Sequence, residues 1–466
     1  MGAPAGQGQG RVMSVSPRKR IWGWYFFDWA SQPYNTLLLT FVFGPYFAEI
    51  ARGYYMAEGM DADQAAAAAQ AYWAWGLTGS SILIAILAPL LGAIADGTGR
   101  RLIWVWIFSV FYVVGAYGLW WVAPGEEHLF YAVVMFGLGF IGMEFATIFT
   151  NALMPSLGDH DDLGAISGSG FAFGYLGGFI ALVLMLGLFA ENAATGKTLF
   201  GIDPLFGLDP EAREGTRAVG PLTALWYAVF MIPFFLWVKE PKVEPRPVRL
   251  GAALSSLGRL LASLRFRPSL AAYLTSSLFY RDALNALYGF GGVYASGVLG
   301  WSIIDIGTFG VVGIVAAVVA SWIGGRMDRR HGPKPVITVS IVVLIGVCAV
   351  IVGLTRESLF GLPLDPASSA SDQIFYLCGA LIGAAGGTLQ AASRTMMVRH
   401  TTPDHATEAF GLFALSGKVA SFISPALIGV VTHASGSQRI GISPLIVMFA
   451  IGLFLLLFVR AKGEQA

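Results

Sequence analysis

The chain has 466 residues, 56% of them hydrophobic and 12% charged, with a formal net charge of +1. A soluble domain carries about 25% charged residues, so the solvent for a chain this apolar is lipid. The balanced charge gives no footprint for nucleic acid, and the two cysteines, Cys348 and Cys378, both lie in apolar segments. They read as packing residues, with no disulfide framework and no metal site.

Apolar runs near or above the roughly 20 residues needed to cross a bilayer recur along the chain. They fall at 21–50, 70–95, 101–123, 128–154, 163–190, 219–238, 269–299, 303–325, 335–355, 372–398, 406–432 and 440–460. Within lipid a span must satisfy its own backbone groups, which demands helix or a closed barrel. Barrel strands would alternate over segments of about 10 residues, and no such alternation occurs. The predicted fold is therefore all-α and integral to the membrane, with twelve transmembrane helices. Residues 1–20 form an N-terminal tail, 21–238 and 269–460 two six-helix bundles, 239–268 a linker and 461–466 a second tail.

In chain order, Arg11, Arg18, Lys19 and Arg20 precede the first span. No short apolar stretch with a small-residue cleavage site follows them, so a signal peptide is not expected. Span one carries Asp28, Ser31, Gln32 and Asn35, spaced i, i+3, i+4 and i+7 on one helical face. Asp28 lies about 12 Å into the span at 1.5 Å per residue, too deep for its short side chain to reach bulk water. After span two comes Gly92-Ala-Ile-Ala-Asp96-Gly-Thr-Gly99-Arg100-Arg101. Span four presents Glu144, Thr147 and Asn151 on one face. Gly174, Gly177 and Gly178 of span five allow close helix approach, because lipid supplies little hydrophobic drive for association.

The linker starts as a charged, proline-rich segment. Its second part repeats Leu254, Leu257, Leu261 and Leu264 at helical spacing, beside Arg259, Arg265 and Arg267. This suits a helix on an anionic leaflet or one packed on the protein's own cytoplasmic face. Span seven holds Arg281, Asp282, Asn285 and Tyr288, with Asp282 offset from the face of the other three. After span eight comes Gly324-Gly-Arg-Met-Asp328-Arg329-Arg-His-Gly332-Pro-Lys334, a second copy of the earlier loop. Span ten holds Gln390, Ser393 and Arg394, and span eleven Ser416 and Lys418. The offset that aligns the glycines of spans five and eleven carries Asn151 onto Arg394.

Two matched loops mark an internal duplication. They resemble the signature between the second and third helices of each half of a major facilitator transporter. The resemblance implies a cytoplasmic gate at Asp96, Arg100, Arg101, Asp328 and Arg329, where each Asp caps a neighbouring helix. Intramembrane ionisable groups are costly and normally face a cavity or a partner. The polar faces concentrate on spans one, four, seven and ten, which line the cavity of that fold. Candidates for the substrate and proton path are Asp28, Gln32, Asn35, Glu144, Asn151, Arg281, Asp282, Asn285, Gln390, Arg394 and Lys418. Arg281 and Lys418 would hold a substrate carboxylate. The competing account pairs Arg281 permanently with Asp28, and Lys418 with Glu144 or Asp282. Arg394 sits near the cytoplasmic end of its span, where its side chain can snorkel to the interface.

Four segments narrow the resemblance to the vacuole effluxer-like family. They are Phe27-Asp28-Trp29-Ala30-Ser31-Gln32, Tyr280-Arg281-Asp282-Ala283-Leu284-Asn285, Gln390-Ala391-Ala392-Ser393-Arg394 and Phe410-Gly411-Leu412-Phe413-Ala414-Leu415-Ser416-Gly417-Lys418. Ser31-Gln32 replaces the family's Asn-Ser pair, Ala283 its Gly and Phe413 its usual Tyr. The resemblance implies a secondary transporter, not an enzyme, that exports amino acids or small carboxylates with protons or another coupling ion. No Gly-x-x-x-x-Gly-Lys-Ser/Thr loop for nucleotide is present, and no cofactor is expected. Partners would be a small-molecule substrate, protons and membrane lipid, with the chain acting as a monomer. A sensor or lipid scaffold on the same fold is the alternative; a polytopic enzyme lacks any nucleophile motif or metal-spaced His pair.

Basic residues favour the cytoplasmic side. They concentrate before span one, in the even-numbered loops and after span twelve. Both termini and the linker are therefore expected in the cytoplasm, and the membrane to be the plasma membrane. A single cysteine replacing Pro245 should resist an impermeant thiol reagent in intact cells and react once the membrane is opened. Labelling from outside would overturn the topology.

Overall fold

The structure, a computed structural model, describes residues 15–125, 128–240, 264–299, 303–365, 368–419 and 423–463, together with Gly258, Ala262 and Trp301. Helix α1 spans Pro17–Pro33, opened by proline at its first position and by Ser16 as cap. It runs into a π-helical stretch, Tyr34–Phe41, and then α2, Phe43–Ala57. Next come α3 (Ala62–Thr98), α4 (Arg101–Gly118), α5 (Leu129–Asn151) and α6 (Leu163–Leu184). The short α7 (Glu214–Arg217), α8 (Val219–Phe230) and α9 (Ile232–Trp237) make up the sixth segment. The second set is α10 (Pro268–Leu299), α11 (Ile303–His331), α12 (Pro333–Gly353) and α13 (Ala370–Arg399). It ends with α14 (Ala406–Val419), α15 (Ile423–Ser435), α16 (Gln438–Gly441) and α17 (Ser443–Leu456).

Among the described residues, ten helical segments are long and apolar enough to cross a membrane. Helix also covers the other two predicted spans, 21–50 and 269–299, where Asp28 and the Arg281–Asp282 pair lower the apolar character. Boundaries moved where capping chemistry decides them. Span two starts at Ala62, because Asp61 caps it by accepting from the amides of Asp63 and Gln64. Leu254, Leu257, Arg259 and Leu261 of the predicted linker helix lie outside the described residues. Leu264–Phe266 is a single 3-10 turn, and Arg267 donates to the carbonyl of His400 at 2.6 Å.

The two repeated loops stop their helices in the same way. Gly99 ends α3 at φ +65°, and Gly332 separates α11 from α12 at φ +83°. Glycine reaches these angles without the Cβ penalty. Helix α4 is then capped from a distance: Glu240 accepts from the amides of Arg101 and Leu102 at 2.7 and 3.0 Å. Burial pushes the Glu240 carboxyl up from its ordinary range, against those two donors.

Within each set, α4 packs on α5, α1 on α6, α11 and α12 on α13, and α10 on α17. The two largest crossings between the sets are α3 with α14 and α6 with α11; α6 also meets α13, and α5 meets α14. The two largest are built on small residues. A Cβ at Gly168 would lie 2.4 Å from the Ser321 carbonyl oxygen and 2.5 Å from the Cα of Gly325. A Cβ at Gly92 would lie 2.7 Å from the carbonyl oxygen of Thr407. Gly174, Gly177 and Gly178 face Asp28, Trp29 and Gln32 of α1. These contacts bring the sets together at the end that carries the two basic loops.

Gly168→Ala should force α6 and α11 apart. The expected loss is about 1–3 kcal/mol, as for other overpacked contacts. Gly346, which has nothing within 4 Å of a built Cβ, supplies the control. Thermal unfolding of purified protein should show a lower Tm for Gly168→Ala and none of that fall for Gly346→Ala.

Candidate functional site

The ionisable residues of the spans gather into three groups. The first lies on α1, α5, α6 and α13. Arg394 donates to both carboxylate oxygens of Asp28 at 3.2–3.3 Å, to the Asn151 side-chain oxygen at 3.1 Å, and to the hydroxyl and carbonyl of Ser167 at 3.0 and 2.9 Å. Its guanidinium is sandwiched by the rings of Trp24 and Phe171, 4.3 and 4.4 Å away. The guanidinium fork suits this many planar contacts. Arg394 is 3% exposed, so it does not snorkel to the interface. Its partner, Asp28, is held on the facing helix, and the pair replaces water for both. The duplicated positions Asn151 and Arg394 thus meet across the two sets.

The second group joins α5 to α14. Lys418 donates to Glu144 at 2.8 Å and lies over the ring of Phe140 at 4.6 Å. Each side chain keeps about a fifth of its surface exposed, 17% and 22%.

The third group lies on α10. Arg281 donates to the carbonyl of Phe413 at 2.7 Å and stacks over the Phe413 ring at 4.1 Å. Gly417 makes room for it: a Cβ there would be 2.8 Å from the guanidinium carbon. The expected pairing of Arg281 with Asp28 does not occur, because Arg394 occupies that carboxylate. Among the described residues Arg281 forms no salt bridge. Asp282, offset on its helix, turns instead to α15 and accepts from the Ser424 amide at 2.8 Å.

Other candidates fall around these groups. Gln390 donates to the Tyr175 hydroxyl at 3.0 Å, and Tyr175 is hydrogen-bonded to Tyr288. Asn35 approaches only the Met143 sulfur, at 4.0 Å. Gln32 packs its stem on Gly178. Asn285 is exposed, on the face shared by Arg281 and Tyr288. Trp24, Phe171, Ser167 and Tyr175 were not singled out from the sequence. Trp24 lies one turn before Asp28, a spacing that could have pointed to it; nothing in sequence marks Ser167 as a partner of Arg394.

The repeated loops differ in their engagement. Asp96 accepts from the amides of Thr407 and Glu408 at the start of α14, at 3.3 and 2.8 Å, and pairs with Arg101 at 2.7 Å. Arg101 also reaches the Thr407 hydroxyl at 2.8 Å. A carboxylate is stabilised at a helix N-terminus by free amides and the helix dipole. Asp328 is buried against Gly164 of α6. Among the described residues neither of its carboxylate oxygens is in strict hydrogen-bond geometry, although the Thr395 hydroxyl approaches them and Arg399 lies nearby. The charged link there runs through Arg329 and Asp162, 2.8 Å apart. Arg100 points to solvent. No His/Cys/Asp/Glu cluster suited to a metal occurs among the described residues.

Comparison with known proteins fits this geometry. The model of the family described as "Vacuole effluxer Atg22 like" matches residues 16–465. An uncharacterized MFS-type transporter of Bacillus subtilis, YxiO, is 26% identical over 94% of both chains. Autophagy-related protein 22 of Cryptococcus neoformans is 26% identical over 61% of this chain and 48% of its own. The chain thus spans about half the length of that fungal relative. Among solved structures, the major facilitator proton:xylose symporter XylE superposes with a TM-score of 0.68, at 11% identity and with 96% of each chain covered. The chain belongs to the vacuole effluxer Atg22-like family and is a major facilitator transporter, not an enzyme.

The Arg394 cluster makes a stability prediction. Arg394→Gln strands Asp28 without its cation, and breaking a buried pair from one side costs about 3–5 kcal/mol. The double variant Arg394→Gln/Asp28→Asn removes the stranded charge. Its Tm should recover most of the loss; a double variant no more stable than Arg394→Gln would show that the pair is not what holds this region.

Proposed function

We propose that this transporter moves a small anionic or zwitterionic solute by alternating access, with Arg281 holding the solute's carboxylate. The observation that carries this is the distribution of partners. Arg394 is matched by Asp28 and Lys418 by Glu144, whereas among the described residues Arg281 has only a carbonyl and a ring. A guanidinium within the membrane whose charge is not matched is a costly arrangement. A substrate carboxylate can supply the missing charge through a bidentate hold. Asn285 and Tyr288 extend the same face and offer donors and acceptors for the rest of the solute. An amino acid or a related small carboxylate fits this set better than a sugar or a lipophilic cation.

The family description names an effluxer, which supports export as the direction. Proton symport on the same fold in the xylose symporter supports protons as the driving ion. The cycle we propose opens the basic end by parting α3 from α14 and α6 from α11, the two bundles 21–238 and 269–460 moving as units. The Asp96 and Arg329–Asp162 contacts act there as the gate. With both termini in the cytoplasm of a plasma membrane, this gate faces inward.

Once a ligand is found, Arg281→Gln should weaken binding of the carboxylate by about tenfold to a hundredfold. That corresponds to the roughly 1.5–3 kcal/mol of a hydrogen bond to a charged group. The amide analogue should be unaffected. Equal losses for acid and amide, measured by calorimetry on purified protein, would reject Arg281 as the carboxylate holder.

A further inference from the structure

Asp282 is 1% exposed and Ser424 is fully buried. The Ser424 amide donates to Asp282 Oδ2 at 2.8 Å. The Ser424 hydroxyl also approaches the Asp282 carboxylate, although neither it nor Oδ1 is in strict hydrogen-bond geometry among the described residues. A buried carboxylate held only by one amide and one loose hydroxyl contact among the described residues is poorly compensated, which is costly.

Among the described residues no cation compensates this carboxylate. On its own helix the neighbouring Arg281 turns to Phe413. On α14, Lys418 is bound to Glu144, and Glu408 lies at the start of the helix. On α13, Arg394 is bound to Asp28, while Asp372 and Arg399 lie near the helix ends. On α15 and α16, His433 and Arg439 lie well beyond Ser424 in sequence. Helix α17 has no charged residue. Tyr280 and Tyr273 of α10 are bonded to Ser393. Among the described residues no salt bridge reaches Asp282.

We propose that Asp282 is the site that binds the coupling proton, with the Ser424 hydroxyl as its acceptor. The inference rests on the transport reading above. A proton adds to Oδ1, the carboxylate becomes a neutral acid, and the new O–H donates to the Ser424 oxygen. The proton removes a buried charge that no cation among the described residues offsets. Asp28 and Glu144 need no such proton, because each already faces a cation.

The position also links the proton to the solute. Arg281 and Asp282 are consecutive, and they hold two consecutive helices of one predicted span. Arg281 grips α14 through Phe413, and Asp282 grips the first turn of α15 through Ser424. The first-turn amides of a helix have no partner within it. The Ser424 amide is turned to Asp282, and Pro425 has no amide to give. Loss of the proton leaves a charged carboxylate against that turn, and the two grips on span eleven then change together.

The test is infrared spectroscopy of the full chain in lipid nanodiscs, with no solute added. The wild-type protein should show the carbonyl stretch of a protonated carboxylic acid, sensitive to exchange into heavy water and titrating with pH. Asp282→Asn should abolish that band. Asp28→Asn should leave it in place. Ser424→Ala should move it to higher frequency, because the acid loses its hydrogen-bond acceptor. The proposal is overturned if Asp282→Asn keeps the band, if the band never titrates while the protein stays folded, or if sodium in place of choline removes it. Should Asp282→Asn fail to fold, Ser424→Ala decides alone, and an unshifted band rejects the proposal. None of these outcomes depends on solute binding at Arg281, so the two readings fail separately.

Discussion

A charge in a bilayer has to be neutralised by whatever the fold sets beside it, and here the neutralising group comes from the other half of the chain. An uncompensated Arg, Lys or Asp at the centre of a span costs roughly 2.5–3.5 kcal/mol on insertion scales. Arg394 of α13 is matched by Asp28 of α1, and Lys418 of α14 by Glu144 of α5. Neither helix set can satisfy these groups alone. The contact between the sets is therefore electrostatic at its centre, and any separation must expose the pairs to water or give them other partners.

Small residues make that contact possible. The ridge of α6 at Gly164 and Gly168 meets Asp328, Ser321 and Gly325 of α11, and Gly92 of α3 meets the start of α14. In lipid, close packing and interhelical hydrogen bonds replace the hydrophobic drive of water. The same approach carries Asp96 to the free amides of α14. The duplicated loop does not repeat this bond on the other side, where Asp328 is buried without one. A duplicated sequence has thus been put to two uses: one copy caps a helix of the opposite set, and the other leaves the charged link to Arg329 and Asp162.

Once the matched charges are set aside, two adjacent residues of α10 stand out. Among the described residues Arg281 meets no carboxylate and Asp282 no cation, although they are neighbours in sequence. Helical geometry turns consecutive side chains about 100° apart, so they cannot neutralise each other face to face. Each instead meets a different helix of the eleventh span. Among the described residues that arrangement leaves one positive and one negative position without a counter-charge, and it is these that the proposed solute and proton would neutralise.

The amino-acid sequence by itself determined the class of the protein. Lipid as solvent, the helical spans, the duplicated loop at Asp96 and Asp328, and the polar faces all follow from apolar run length and 3.6-residue periodicity, which are local. The family was legible too, in Phe27–Gln32 and Phe410–Lys418. Which charge meets which was decided only by the tertiary structure. Sequence spacing made Arg281 a partner for Asp28 and sent Arg394 to the interface, whereas packing buried Arg394 between Trp24 and Phe171 and left Arg281 on Phe413. The reason is physical. A side chain's position along its own helix follows from residue number, but its neighbours depend on the rotation and depth of helices hundreds of residues away, and those are set by close contacts such as Gly168 on Gly325.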